Sequence, residues 1–196
     1  MSIKHQFNVR APPLTTERLS LDPHRPQDFA DLADMWADPE VVRYIGGRPF
    51  TPEEVWTRLL RAAGHWPLMG FGYWIVRERS TGRFVGEAGL ADLRRDISPG
   101  FCGAPEAGWA LSPWAHGQGY GGEAVAAVLA WSDAELKPER VVCIISPDNE
   151  PSIRLARRCG FTLLHRASYR GEPTLVFERR TAEASDTGSS TTKPSS

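Results

Sequence analysis

The stretch Trp114-Ala115-His116-Gly117-Gln118-Gly119-Tyr120-Gly121-Gly122-Glu123-Ala124 constrains this chain more than any other. Four glycines fall within six residues, after the extended apolar segment Glu106-Ala107-Gly108-Trp109-Ala110-Leu111 and before a long helical pattern. Glycine lets bare backbone N–H groups come close to a bulky anion. A helix that begins there adds unpaired donors and the positive end of its dipole. A compact turn alone does not require so many glycines. The stretch predicts a phosphorylated ligand seated on a helix N-terminus.

Two familiar phosphate loops fit less well. Gly117-x-Gly119-x-x-Gly122 satisfies the dinucleotide spacing, but that pattern belongs in the first strand–helix turn of a doubly wound sheet. Here more than half of the chain precedes it, and Pro113 and Trp114 stand between the strand and the first glycine. A nucleoside-triphosphate loop needs Lys-Ser or Lys-Thr after its glycines, and neither follows.

Periodicity orders the rest. Residues 14–21 alternate loosely and read as a first strand ended by Asp22-Pro23. Phe29, Leu32, Ala33 and Trp36 share a helical face, and Thr51-Pro52-Glu53-Glu54 is a capped helix start whose pattern closes at Gly64. Residues 72–78 and 84–90 form a hairpin around Ser80-Thr81-Gly82, and residues 92–103 read as a polar loop. Residues 106–111 feed the glycine loop, and residues 121–136 form the clearest helix. Val141-Val142-Cys143-Ile144-Ile145 is a strand buried on both faces. Asn149 caps a last helix that stops at Gly160, and two strands, 161–169 and 174–180, complete the pattern. The order predicts one mixed α/β domain over residues 14–180. Residues 1–13 form an extension before it, and the Ser/Thr-rich residues 181–196 read as a disordered tail.

Composition excludes several partners. A net charge of −1 with mixed signs argues against a nucleic-acid or membrane-surface binder. Cys102, Cys143 and Cys159 show no metal-ligand spacing, and no metal is expected. Cys143 and Cys159 sit in apolar patterns, so free buried thiols and a reducing, cytoplasmic setting are expected. Neither a signal segment nor a stretch of membrane-span length is present in the sequence.

His116-Gly117-Gln118-Gly119-Tyr120-Gly121 resembles the acyl-coenzyme A loop of the GNAT N-acetyltransferase superfamily, with His116 departing from the usual first residue. The longer string Ser112-Pro113-Trp114…Gly117-Gln118-Gly119-Tyr120…Glu123-Ala124 is similar to the RimJ/RimL branch. So are Leu14-Thr15-Thr16-Glu17-Arg18-Leu19 and Asn149-Glu150-Pro151-Ser152…Gly160-Phe161. The resemblance implies a twisted, mostly antiparallel sheet of about seven strands with one parallel splayed pair, and about four helices. It implies acetyl transfer from acetyl-coenzyme A to a primary amine, on a protein N-terminus or a small molecule, by a monomer or homodimer.

The same resemblance distributes roles. Backbone N–H groups of Gly117, Gln118, Gly119, Tyr120, Gly121 and Gly122 cradle the pyrophosphate, with His116 as a further contact. Trp109, Ala110 and Leu111 bind the pantetheine arm and supply an oxyanion donor. The bare sequence supports equally a fully paired strand with Trp109 in the core. Gly108 suits a bulge or a close approach. Glu106 matches the position of a general base, with Glu87 as a second candidate for base or amine binder. The superfamily's usual tyrosine acid corresponds to Ala156, and the branch's replacement is Ser152, with Asn149 as a cofactor-binding residue that holds this serine or the pantetheine. The same Asn149 and Ser152 also serve as a helix cap and first turn. A module that binds acyl-coenzyme A without catalysis keeps the loop and lacks the proton-transfer pair, which makes it the alternative reading.

Overall fold

A computed structural model describes residues 10–101 and 103–181. Most of the expected N-terminal extension, nearly all of the expected tail, and Cys102 lie outside the described residues. The elements run β1 (Leu14–Thr15), β2 (Leu19–Asp22), α1 (Phe29–Ala37), α2 (Pro39–Val42), α3 (Pro52–Met69), β3 (Tyr73–Glu78), β4 (Phe84–Ala91), β5 (Ile97–Ser98) and β6 (Glu106–Leu111). They continue through α4 (Tyr120–Trp131), β7 (Arg140–Ile145), α5 (Glu150–Arg158), β8 (Thr162–Tyr169) and β9 (Glu172–Arg180).

The strands form one sheet in the order β1-β2-β3-β4-β6-β7-β9-β8-β5, antiparallel throughout except for the central pair β6 and β7. Among the described residues the sheet has nine strands rather than about seven. The expected first strand breaks in two because Thr16 turns the chain, its N–H reaching the Leu19 carbonyl at 2.9 Å. The other addition is β5, a two-residue strand on β8 inside the segment read as a polar loop. Arg170 and Gly171 both take positive φ, 54° and 83°, which is the two-residue hairpin geometry that suits the twist of β8 and β9.

Two helix ends differ from the expectation. The α3 helix passes through Gly64 and Pro67 and stops at Gly70, which takes the left-handed C-cap at φ 76°. Tertiary packing overrides the local signal here. Trp66 is buried edge-on against Trp74 and Trp131, with centroids 4.7 and 5.3 Å away, and its indole N–H donates to the Tyr73 carbonyl at 3.0 Å. The α4 helix ends at Trp131, and Ser132–Leu136 form a wider π-type turn fastened to β9 by two Arg179–Asp133 hydrogen bonds of 2.8 and 2.6 Å. The additional helix, α2, is one turn capped by the Asp38 carboxylate, which accepts from the Glu40 N–H at 2.8 Å.

The sheet separates two cores. On one face α4 and α5 cover Trp74, Ala88, Leu90, Ala107 and Val141 through Val125, Val128, Leu129, Ile153 and Ala156. On the other, α1, α2 and α3 cover Ile75, Phe84 and Ala110 through Leu32, Trp36, Val42, Val55 and Leu59. Cys143 is a buried free thiol and Cys159 a half-buried one. Among the described residues no helix is long and apolar enough to cross a membrane.

Candidate active site

The β6 strand is paired with β4 along its whole length, from Gly86↔Leu111 to Ala91↔Glu106. With β7 it shares a single register pair, Glu106↔Val142, where the Val142 N–H donates to the Pro105 carbonyl at 2.9 Å. Beyond that point the strands part. Backbone groups alternate direction along a strand, so the N–H groups of Trp109 and Leu111 face the gap while those of Ala110 face β4. The Leu111 carbonyl is already taken by His116 Nε2 at 3.0 Å. Gly108 lies in regular register without a bulge, and its role is close approach: a Cβ there would sit 1.9 Å from the Tyr73 hydroxyl. Trp109 is half-buried rather than enclosed, and its indole N–H donates to Ser152 Oγ at 3.3 Å.

The glycine loop closes one end of the gap. Gly117 and Gly119 take φ of 72° and 83°, a conformation that a side chain opposes. Gly121 lets α4 approach α5, since a Cβ there would meet the Leu155 Cδ1 at 2.9 Å. Among the described residues the backbone N–H groups of residues 117–122 find no backbone acceptor, the first paired one being Glu123, which bonds the Gly119 carbonyl at 3.1 Å. Six donors are thus presented at a helix N-terminus.

Side chains of the loop point elsewhere. Tyr120 is buried in the core, its hydroxyl donating to Glu78, and the Gln118 amide folds back to the Trp114 carbonyl at 2.5 Å. These two residues shape the loop and offer a ligand only backbone N–H. The His116 imidazole bridges the Leu111 carbonyl and Glu40, whose Oε1 lies 3.5 Å from Nδ1.

The segment between β1 and β2 straps the loop from behind. Thr16 Oγ1, the Arg18 N–H and Arg18 Nε donate to the Glu123 carboxylate at 2.6, 2.8 and 2.7 Å, and Arg18 Nη1 donates to the Gln118 carbonyl at 2.9 Å. Burial pushes the Glu123 carboxyl up, but the Thr16 and Arg18 donors outweigh it and hold its pKa below the ordinary value. The strings at residues 14–19 and 112–124, separate in sequence, are one structure in space.

The face of the sheet away from α4 and α5 is chemically different. Cross-strand pairing puts Tyr73, Glu87, Glu106, Gly108 and Ala110 on it. They floor a cleft of about 1250 Å³ that continues past the gap to Asn149 and Ser152. Trp36, Tyr44 and Phe50 help to roof it, whereas Trp56 faces solvent and Trp66 belongs to the core.

Glu106 is buried, and both of its oxygens accept from Arg95, Nε at 2.6 Å and Nη2 at 2.7 Å. Burial lowers the Arg95 pKa, and this fork more than restores it. Glu87 is also buried, 3.2 Å from His24 Nε2 and 3.6 Å from Arg58 Nη2. Burial raises its pKa, while His24 and Arg58 lower it further, so it stays ionised. Between these carboxylates lies Tyr73, whose pKa is raised by burial and by both acids, so its hydroxyl keeps its proton. Glycines at 89 and 108 make room for the ring.

At the far side of the gap Asn149 Oδ1 accepts the Ser152 N–H at 3.2 Å, the expected cap, and Ser152 Oγ remains beside Trp109. Ala156 is fully buried, one turn further into the core. Arg154, Arg157 and Arg158 are exposed on α5. Among the residues missed in the sequence are Arg95, His24, Arg58 and Arg18. Each pairs with an acid in a distant strand or helix, and only the Arg18 string carried any signal.

The chain matches the family model described as acetyltransferase (GNAT) domain over residues 18–162. It is 34% identical over 170 residues to the FsC-acetyl coenzyme A-N(2)-transacetylase of Aspergillus fumigatus, across 83% of this chain and 68% of that relative. Among solved structures, a protein of Bordetella pertussis described as a GnaT-family acetyltransferase has a TM-score of 0.76 at 34% identity, with 86% of this chain and 99% of that one covered. An acetyltransferase of Agrobacterium tumefaciens has a TM-score of 0.75 at 29% identity, with 87% and 95% covered.

Proposed function

The chain belongs to the GNAT acetyltransferase family, and on that premise we propose that it moves an acetyl group from acetyl-coenzyme A to a primary amine by direct transfer, with both substrates bound together. The observation that carries this is the single register pair between β6 and β7 with the unpaired loop N–H groups at its end. The relative from Aspergillus fumigatus, whose name specifies acetyl coenzyme A and a nitrogen, supports the same donor and acceptor atoms.

In this reading residues 117–122 bind the pyrophosphate through backbone N–H, and the free edge of Trp109 and Leu111 bonds the pantetheine arm. A gap-facing N–H donates to the acetyl oxygen as it gains negative charge. The coenzyme supplies an activated thioester. Glu106 takes the proton lost by the attacking amine: Arg95 occupies one lone pair on each oxygen and leaves the others free to accept. The C–S bond then breaks, the Ser152 hydroxyl hands a proton to the sulfur and takes one back from solvent, and Glu106 releases to solvent the proton it took from the amine. Tyr73, held protonated, donates a hydrogen bond toward the acceptor.

Calorimetry with acetyl-coenzyme A, together with thiol release on a panel of amines, tests this reading. Saturable binding and amine-dependent release are expected. No binding, or binding unaltered by Gly119→Trp, overturns it.

A further inference from the structure

Resting on the reading of acetyl transfer to an amine, we infer that the acceptor also carries a carboxylate, received by the guanidinium of Arg61 on the α3 wall of the cleft. An amino acid is the simplest molecule of this kind.

Arg58, Arg61 and His65 follow one another at one-turn spacing along α3 and line the cleft. Their neighbours are accounted for one by one. Arg58 pairs with Glu87 and lies over the Trp36 ring, 4.0 Å from its centroid. Arg95 is taken by both oxygens of Glu106. Asp92 pairs with Arg94 at 2.9 Å, and its N–H donates to His65 Nε2 at 2.9 Å, which makes His65 an acceptor at that nitrogen and therefore neutral. Tyr73 is protonated. Glu87, Glu106 and Asp92 each have an arginine, and of the two guanidiniums that α3 sends to the cleft Arg61 is the one without an acid.

Among the described residues Arg61 has no hydrogen-bonded or ion-paired partner, although it feels the charges of Arg58 and Arg95 and, with the opposite sign, that of Glu87. Arg61 is an exposed residue that lines the cleft, and surrounding protein and then Arg58 lower its pKa against the pull of Glu87. A guanidinium in that situation matches a carboxylate with two parallel hydrogen bonds. The opposite end of such a ligand, an ammonium, meets Glu87 and Glu106 on the floor of the same cleft. A polyamine has a cation where Arg61 stands, and is selected against.

The experiment compares free L-amino acids with their α-amides and with spermidine as acceptors, in steady-state thiol release. Acids are expected to exceed their amides by about 10- to 100-fold in kcat/KM. Arg61→Gln should bring that ratio close to one, chiefly through a higher KM for the acid, with acetyl-coenzyme A affinity retained, and Arg61→Lys should recover part of the preference. Amides or spermidine preferred over acids, or a ratio that Arg61→Gln leaves intact, overturns the inference while amine acetylation stands. If no amine is acetylated, the reading of transfer fails instead. The inference is then read by calorimetry of the same acids and amides on the coenzyme A-loaded protein, where equal or absent binding overturns it.

Discussion

The two sides of the cleft are built from different material. The side we assign to the donor is backbone: a strand edge released from its partner and a run of N–H groups that glycine keeps bare. The side we assign to the acceptor is side chain: two buried carboxylates, a phenol, three arginines and an imidazole, brought from α3, β3, β4, β6 and the segment before β6. A backbone site recognises what every donor of its class shares. A side-chain site can be re-specified one residue at a time without disturbing the other half. Fold and donor therefore go together here, and the acceptor is a separate matter.

This contrast predicts that variants divide cleanly by side. Glu106→Gln should lower kcat by about 10²–10⁴, the usual range for a lost proton acceptor, with acetyl-coenzyme A affinity within about twofold of wild type; an equal loss in both would merge the two sides. Gly119→Trp reverses the pattern. It should weaken acetyl-coenzyme A binding by about 100-fold in calorimetry, because a side chain at φ 83° must displace the loop, while circular dichroism shows the fold intact. Gly108→Ala pushes a methyl into the Tyr73 hydroxyl. Roughly tenfold is expected off kcat/KM for the amine, in keeping with the cost of small misplacements, against little change in the dissociation constant of acetyl-coenzyme A.

The smallest effect lies behind the loop. Glu123 has a folded pKa below its unfolded value, so its contribution is complete above the ordinary carboxylate pKa of about 4.3 and fades as pH falls through the lowered value. Glu123→Gln should cost about 1 kcal/mol at pH 7, the scale of one net hydrogen bond in a partly exposed network. The difference between wild type and variant in urea melts should shrink as pH drops below 4. A difference that grows on acidification would mean that the strap is not held by this carboxylate.

Much of the donor side is legible in the sequence because its requirements are local. Glycine where a side chain is opposed, an apolar run before it and a helical period after it are all contiguous. The helix caps at Thr51 and Asn149 are equally local, and both form as read. Where reading fails, distant partners decide. Gly64 does not stop α3 because Trp66 is fastened to Trp74 and Trp131, and no local pattern announces that. Glu106 reads as a candidate base, but its fork to Arg95 joins a strand to a loop otherwise notable only for polarity. The hold of His116 on the Leu111 carbonyl has no signal in the sequence either. Ion pairs between elements leave no period and no spacing.

The lone register pair at Glu106 and Val142 has a mechanical meaning. The five strands from β1 to β6 and the four from β7 to β5 are joined in the sheet by this one rung, and the chain itself crosses between them on the way into and out of β5 and through α4. A ligand laid along the open edge acts as a tie between two half-sheets. Cohesion of the protein should then rise with ligand concentration as RT ln(1 + [L]/Kd), and the amide protons of Trp109 and Leu111, quick to exchange in the free protein, should become slow ones.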